Sequence, residues 1–300
     1  MDAAAPSSPL HIWLMAARVR TLPAAVAPVL VGTAIAVQQG IFRPDAFAAA
    51  LLGSILIQIG TNLANDYSDA RRGADAEDRV GPVRVTAGGL VPPRQVLIAT
   101  YVTFGLAALC GVYLVFVAGI ELLILGVLSI AAGVLYTGGP KPYGYEGLGE
   151  VFVFLFFGLV AVTGSAFAQL EAWPRDAFLL AVPVGLLAAA ILVVNNVRDM
   201  DSDKRAGKRT LAVRLGRERA RTIYGLMLYV SYLVAPLPWL LGGELSFWLL
   251  APWLTLPFAV RLARTVRTHA DGPTLNHALA RTGMLQLAFC LLLSAGVVAS

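Results

Sequence analysis

Apolar stretches of about twenty residues recur from one end of this chain to the other, and that recurrence limits what it can fold into. A helix of that length crosses a hydrocarbon core of roughly 30 Å with its backbone hydrogen bonds made internally, as lipid requires. Of 300 residues, 58% are hydrophobic and 14% charged, against about 25% charged in ordinary soluble domains. The expected fold is therefore all-α, an integral membrane bundle of about nine transmembrane helices. The apolar stretches lie at 22–39, 46–65, 95–117, 119–137, 151–170, 177–197, 222–242, 245–263 and 278–299. Residues 1–9, "MDAAAPSSP", are small and Pro/Ser-rich and read as a disordered tail, leaving 10–300 as a single transmembrane domain.

Short cytoplasmic loops collect Lys and Arg, so the basic residues set the orientation. With the N-terminus inside, only Arg43 and Arg175 of the 23 Lys and Arg fall on the outer side. The sequence pI of about 9.4 thus reflects topology, with anionic headgroups or substrates inside, rather than nucleic-acid binding. The expected location is the cell inner membrane, with the polar sites on the cytoplasmic face. Cys110 and Cys290 each fall inside an apolar stretch, without metal-ligand or disulfide spacing, and read as small core residues.

Two of the helices end in acids. In "NLANDYSDARRGAD", Asn62, Asn65, Asp66 and Asp69 recur at i, i+3, i+4 and i+7, which puts all four on one helical face. In "NNVRDMDSDKRAGKRT", Asp199 and Asp203 are one turn apart and Asn195 lies one turn before them. Four apolar stretches separate the clusters, so both belong to the same membrane face. Carboxylates crowded near lipid repel one another unless a cation sits between them. Hard oxygen donors suit Mg²⁺, which keeps several waters and bridges protein carboxylates to phosphates. A single cluster would be read as salt bridges at a solvated helix end. Two Asn-containing copies on one face point to Mg²⁺ and, through it, a diphosphate. A polar head held there with a tail between apolar helices describes a polyprenyl diphosphate.

Arg72, Arg84, Lys208 and Arg209 fit phosphate contacts, and equally fit cytoplasmic charge placed by topology. Lys141 is a further basic candidate in the loop after the fourth stretch. Tyr136, Tyr143 and Tyr145 flank that loop, and Tyr136 is the one taken as a substrate contact.

These stretches, with "ARVRTLPAAVAPVLVGTA" and "YTGGPKPYGYEGLGEVFVFLFFGLVAVTGS", resemble the UbiA superfamily of intramembrane aromatic prenyltransferases, and most closely its naphthoate branch. The resemblance covers about a third of the chain. It implies an enzyme that joins a polyprenyl diphosphate to 1,4-dihydroxy-2-naphthoate with loss of CO₂, in menaquinone biosynthesis. It also implies metal roles. Asn65 and Asp69 would hold one Mg²⁺ with Asp66 close by, and Asp199 and Asp203 another. Asp66, Asp69, Asp199 and Asp203 become the expected catalytic acids, Asn62 and Asn195 substrate contacts, and Arg20 a contact for the acceptor carboxylate. The family pattern NDxxDxxxD is broken here, since position 73 is Gly and the next acid is Asp75.

The alternatives weighed are a membrane transporter and a relative using 4-hydroxybenzoate or homogentisate. A transporter would place ionisable groups near the bilayer midplane on broken helices, whereas these gather at one face.

Overall fold

The computed structural model describes residues 8–73 and 84–300, and these are helical with no β-strand. A short helix α1 (Pro9–Ala17) leads through a bend at Arg18 into α2 (Pro23–Gln38). Then follow α3 (Pro44–Arg71), α4 (Pro93–Ala118), α5 (Glu121–Leu135), α6 (Gly149–Leu170) and α7 (Arg175–Arg205). The last part holds α8 (Leu211–Leu215), α9 (Arg217–Val234), α10 (Leu237–Leu240), a 3₁₀ stretch Phe247–Thr255, α11 (Leu256–Thr268) and α12 (Gly272–Val298). Residues 1–7 of the expected tail lie outside the described residues. Ser8 and Pro9 are already ordered, because Ser8 caps α1 by accepting the His11 N–H.

Each expected apolar stretch falls on helical structure, but the helices do not all match a membrane in length. Among the described residues five helices, α3, α4, α6, α7 and α12, are long and apolar enough to cross one, and a sixth crossing results if α1 and α2, bent by 51°, form one span. Proline accounts for two of the shortfalls. The stretch 222–242 is interrupted after Val234 by Pro236 and Pro238. The stretch 245–263 becomes a 3₁₀ segment around Pro252, followed by the amphipathic α11, whose Arg261, Arg264 and Arg267 face outward. Helix α5 is apolar but has 15 residues.

Helix α7 is the axis of the main core. In its apolar window 72% of the residues are buried, against 11% in α4. Alanines and glycines make that close packing possible. Helix α6 widens into a π-helical segment, Phe154–Val160, where Gly158 crosses Gly185 of α7. A Cβ on Gly158 would lie 2.6 Å from the Gly185 Cα, so a larger residue would force the helices apart there. A smaller cluster joins α1, α3 and the turn after residue 84 through Ala16, Leu63, Val85 and Val91.

Length then places the acids. At 28 and 31 residues, α3 and α7 are each more than 40 Å long at about 1.5 Å per residue. Both outrun a hydrocarbon core of roughly 30 Å, and about their last three turns carry the Asn and Asp clusters.

Candidate active site

The acidic ends of α3 and α7 converge on one chamber of about 400 Å³, enclosed mainly by α3 to α7. Asp69 from α3 and Asp199 and Asp203 from α7 all line it, so the two motifs share a site as their spacing predicts. On α3 the four expected residues are all buried: Asn62 at 4% exposure, Asn65 at 5%, Asp66 at 2% and Asp69 at 1%. One face of the helix therefore points inward.

Asp69 is a hub for three separate segments. Its Oδ2 accepts from Arg84 Nη2 at 2.9 Å and from Lys208 Nζ at 3.3 Å, while Oδ1 accepts from the Tyr145 hydroxyl at 2.7 Å. Lys208 also lies 3.9 Å from Asp203 Oδ1, so one ammonium bridges the two acidic helix ends. That ammonium sits 4.8 Å from the centre of the Tyr145 ring, a cation–π position that helps hold it in a desolvated place. The Tyr145 carbonyl accepts the Arg209 N–H at 2.8 Å, which ties the loop after α5 to the loop after α7.

The α7 cluster is held more locally. Asp199 receives both Nε and Nη2 of its neighbour Arg198, at 2.7 and 2.6 Å. The same guanidinium donates to Asn195 Oδ1 at 2.8 Å and to Asn276 Oδ1 of α12 at 2.6 Å. Arg198, read from sequence only as a topology charge, is thus the structural organiser of the second motif. The visible signal was its position, one turn after Asn195 and next to Asp199.

Other expected residues take different posts. Asp66 accepts the Val85 and Thr86 N–H groups at 3.0 and 2.9 Å, so it anchors the turn beyond residue 84 and does not line the chamber. Asn65 accepts from the Thr137 hydroxyl at 2.8 Å behind the same wall. Asn62 and Asn195 do line the chamber, Asn62 while donating to the Ala17 carbonyl and Thr21. Arg20 is exposed and outside the chamber; Arg18, two residues earlier in a left-handed bend, lines it instead. Lys141 and Arg209 are exposed. Arg72 donates to the Gly139 carbonyl and stacks 5.7 Å from the Tyr145 ring, bracing the loop from outside. Asp75 lies outside the described residues.

Of the three tyrosines, Tyr136 lines the chamber as expected. Tyr145, which the sequence reading passed over, makes the contact with Asp69. Tyr143 stacks on Phe152 at 3.9 Å and donates to the Ala132 carbonyl, and burial pushes its phenol well above the ordinary range. Beyond these polar groups the chamber is apolar, with Ile57, Val127, Phe156, Phe157, Val160 and Ile191 on its walls.

Among the described residues no three acidic, His or Cys side chains gather closely enough to hold a metal ion by themselves. The donor set still fits Mg²⁺, whose sites commonly use one or two carboxylates and complete the shell with water and phosphate oxygens. Asp69 and Asp203 already flank a cation, the Lys208 ammonium.

Acidic helix ends over an apolar chamber in an all-helical bundle make a site suited to an amphiphilic ligand. The chain belongs to the UbiA prenyltransferase family, whose profile matches residues 25–296. It is 41% identical over 288 residues to a 1,4-dihydroxy-2-naphthoate octaprenyltransferase of Mycobacterium tuberculosis, covering 93% of this chain and 94% of that one. A protein of the same description from Escherichia coli is 41% identical over 276 residues, covering 90% and 89%. Among solved structures, a UbiA homolog from Archaeoglobus fulgidus bound to DMAPP and Mg²⁺ superposes with a TM-score of 0.69, covering 95% and 98% at 15% identity. That likeness shows the fold.

Proposed function

We propose that this chain transfers a polyprenyl group from polyprenyl diphosphate to 1,4-dihydroxy-2-naphthoate, with loss of the ring carboxylate as CO₂, in menaquinone biosynthesis. One observation carries the reading: two acidic helix ends, bridged by a single lysine, cap a chamber whose remaining walls are apolar. A charged head at one end and a long hydrocarbon tail at the other match that polarity. The naphthoate is favoured as acceptor by the full-length similarity to naphthoate octaprenyltransferases.

Asp69, Asp199 and Asp203 are the residues that would hold Mg²⁺. Bound there, the metal would supply charge neutralisation for the departing diphosphate. Arg84 and Lys208 carry positive charge at the same end of the chamber and donate to phosphate oxygens as negative charge grows on them. Asp66 acts one layer back, fixing the turn that delivers Arg84, and Asn65 holds Thr137 just after α5. The aromatic wall at Phe152, Phe156 and Phe157 keeps water from the allylic carbon and presents ring faces to its developing positive charge. The acceptor hydroquinone is electron-rich, so its attack needs positioning more than activation.

The basic-residue distribution supports nine crossings, with the N-terminus and this site on the cytoplasmic side of the cell inner membrane. In that arrangement α5, α9 and the 3₁₀–α11 unit supply the short crossings.

The deciding experiment is an acceptor panel with one polyprenyl diphosphate and purified membranes. Mg²⁺-dependent product with dihydroxynaphthoate, together with CO₂ release, is expected. Product only with 4-hydroxybenzoate or homogentisate would move the chain to another branch of the family.

A further inference from the structure

Behind the chamber wall lies a carboxylate that the reaction above does not use. Glu150, at the start of α6, is 5% exposed. Its Oε1 accepts from Asn196 Nδ2 at 2.7 Å, and its Oε2 has no hydrogen-bond partner among the described residues. A buried carboxylate held by one amide is expensive, since its desolvation is only partly offset. Apolar packing would be the cheaper way to fill the position.

The consequence of the pair falls on Asn196, which lines the chamber. A carboxylate accepts and cannot donate, so it dictates which end of the Asn196 amide turns toward it. With Nδ2 committed to Glu150, the group left for the chamber is the carbonyl Oδ1, a hydrogen-bond acceptor. Asn195, the preceding residue, is committed in the opposite sense, its Oδ1 engaged by Arg198. The two asparagines of "NNVRD" are therefore set by different partners.

Tyr136 lines the same chamber. Its ring is pressed against the "YGYEGLGE" segment: a Cβ on Gly144 would lie 2.9 Å from the ring and one on Gly149 3.2 Å from it. Both glycines are needed for that approach, and the position built for a Gly149 Cβ is 3.6 Å from the Tyr136 hydroxyl. An amide carbonyl and a phenol beside an apolar wall suit a flat aromatic ring with hydroxyl groups.

We propose that Asn196 Oδ1, oriented by Glu150, accepts a hydrogen bond from a hydroxyl of the aromatic acceptor, with Tyr136 contributing to the same subsite. Asn196 is thus a substrate-binding residue and Glu150 a positioning residue acting through it. The assignment rests on the prenyl-transfer reading and specifies where its second substrate lies. It also separates the second substrate's contacts from the Asp69–Lys208 hub that faces the diphosphate.

The test exchanges the partners. In Asn196→Asp a second carboxylate faces Glu150, the pair loses its donor, and the acceptor-facing oxygen is no longer fixed. In the double variant Asn196→Asp with Glu150→Gln, the glutamine donates to the new aspartate, which again offers an oxygen to the chamber. With dihydroxynaphthoate as the probe, KM for the aromatic substrate is expected to rise about tenfold or more in the single variant. It should fall back at least severalfold in the double variant, while KM for the polyprenyl diphosphate stays within about twofold of wild type. Unfolding temperatures in detergent, measured alongside, track folding in each variant. A merely structural role predicts that both KM values and stability move and recover together, and that outcome overturns the assignment. So does a double variant no better than the single one. If wild-type membranes make no naphthoate product, the reading of function fails and takes this assignment with it. Wild-type turnover with an unmoved acceptor KM in Asn196→Asp sinks the assignment alone.

Discussion

The acidic ends of α3 and α7 share one grammar in sequence, yet the fold uses them differently. Asp69 is cross-linked at long range, to Arg84, Tyr145 and Lys208 from three different loops. Asp199 is gripped by Arg198 next to it, and the tie outward runs through that arginine to Asn276 of α12. The first cluster therefore assembles the loops above the chamber, whereas Asp199 in the second is held by an arginine of its own helix. Two motifs that look equivalent carry different shares of structure and chemistry.

The largest expected effect breaks this comparison if it is wrong. Asp69→Ala and Asp199→Ala should each abolish measurable turnover, because both remove an oxygen donor from the proposed diphosphate site. Their stabilities should separate. Losing Asp69, at 1% exposure, leaves Arg84 and Lys208 without their shared carboxylate, and breaking a buried pair in this way costs about 3–5 kcal/mol. Losing Asp199 leaves Arg198 still bonded to Asn195 and Asn276, so the drop should be clearly smaller. Thermal unfolding of the two proteins in the same detergent reads the difference. Equal losses would mean that the α3 end organises no more than the α7 end.

The contrast also explains what was legible beforehand. Helix class, the inward face of α3 and the meeting of the two motifs follow from periodicity and charge placement, which are local properties. The positions of Asp69, Asp199 and Lys208 on one chamber were readable for that reason. Tyr145 was passed over because its role depends on how the loop after α5 folds over α3, a contact 76 residues apart. Asp66 was expected as a catalytic acid close to the metal, sharing a helix face with Asp69; what engages it instead is a pair of amides at Val85 and Thr86, beyond the helix end. Which apolar stretches become single long helices was not legible, because a hydropathy window does not register a break at Pro236 or a 3₁₀ segment around Pro252. Glu150 gave no signal at all, since a lone Glu at a helix start reads as a favourable first-turn acid.

A smaller effect is expected at the bridge between the two regions. Lys208→Met keeps the length and apolar stem of the side chain but removes the ammonium that lies between Asp69 and Asp203. A hydrogen bond to a charged group contributes about 1.5–3 kcal/mol, so KM for the polyprenyl diphosphate should rise roughly ten- to a hundredfold. Unlike Asp69→Ala, this variant leaves Arg84 on Asp69, and stability should change little. A loss of turnover with unchanged diphosphate KM would instead place Lys208 in the chemical step.

The smallest effect tests the hub at its least charged contact. Tyr145→Phe removes one donor to Asp69 Oδ1 and keeps the ring that lies 4.8 Å from the Lys208 ammonium. Asp69 retains Arg84 and Lys208 on its other oxygen, and the freed oxygen faces a chamber that water or a metal-bound phosphate can reach. The cost should be near 1 kcal/mol in stability, with turnover reduced by less than about tenfold. The ranking carries the information: if the hydroxyl only holds the hub together, Tyr145→Phe must be far milder than Asp69→Ala. Turnover abolished in a stably folded Tyr145→Phe would make the phenol a participant in the reaction, and the α3 end would then owe its function to the loop above it as much as to its own acid.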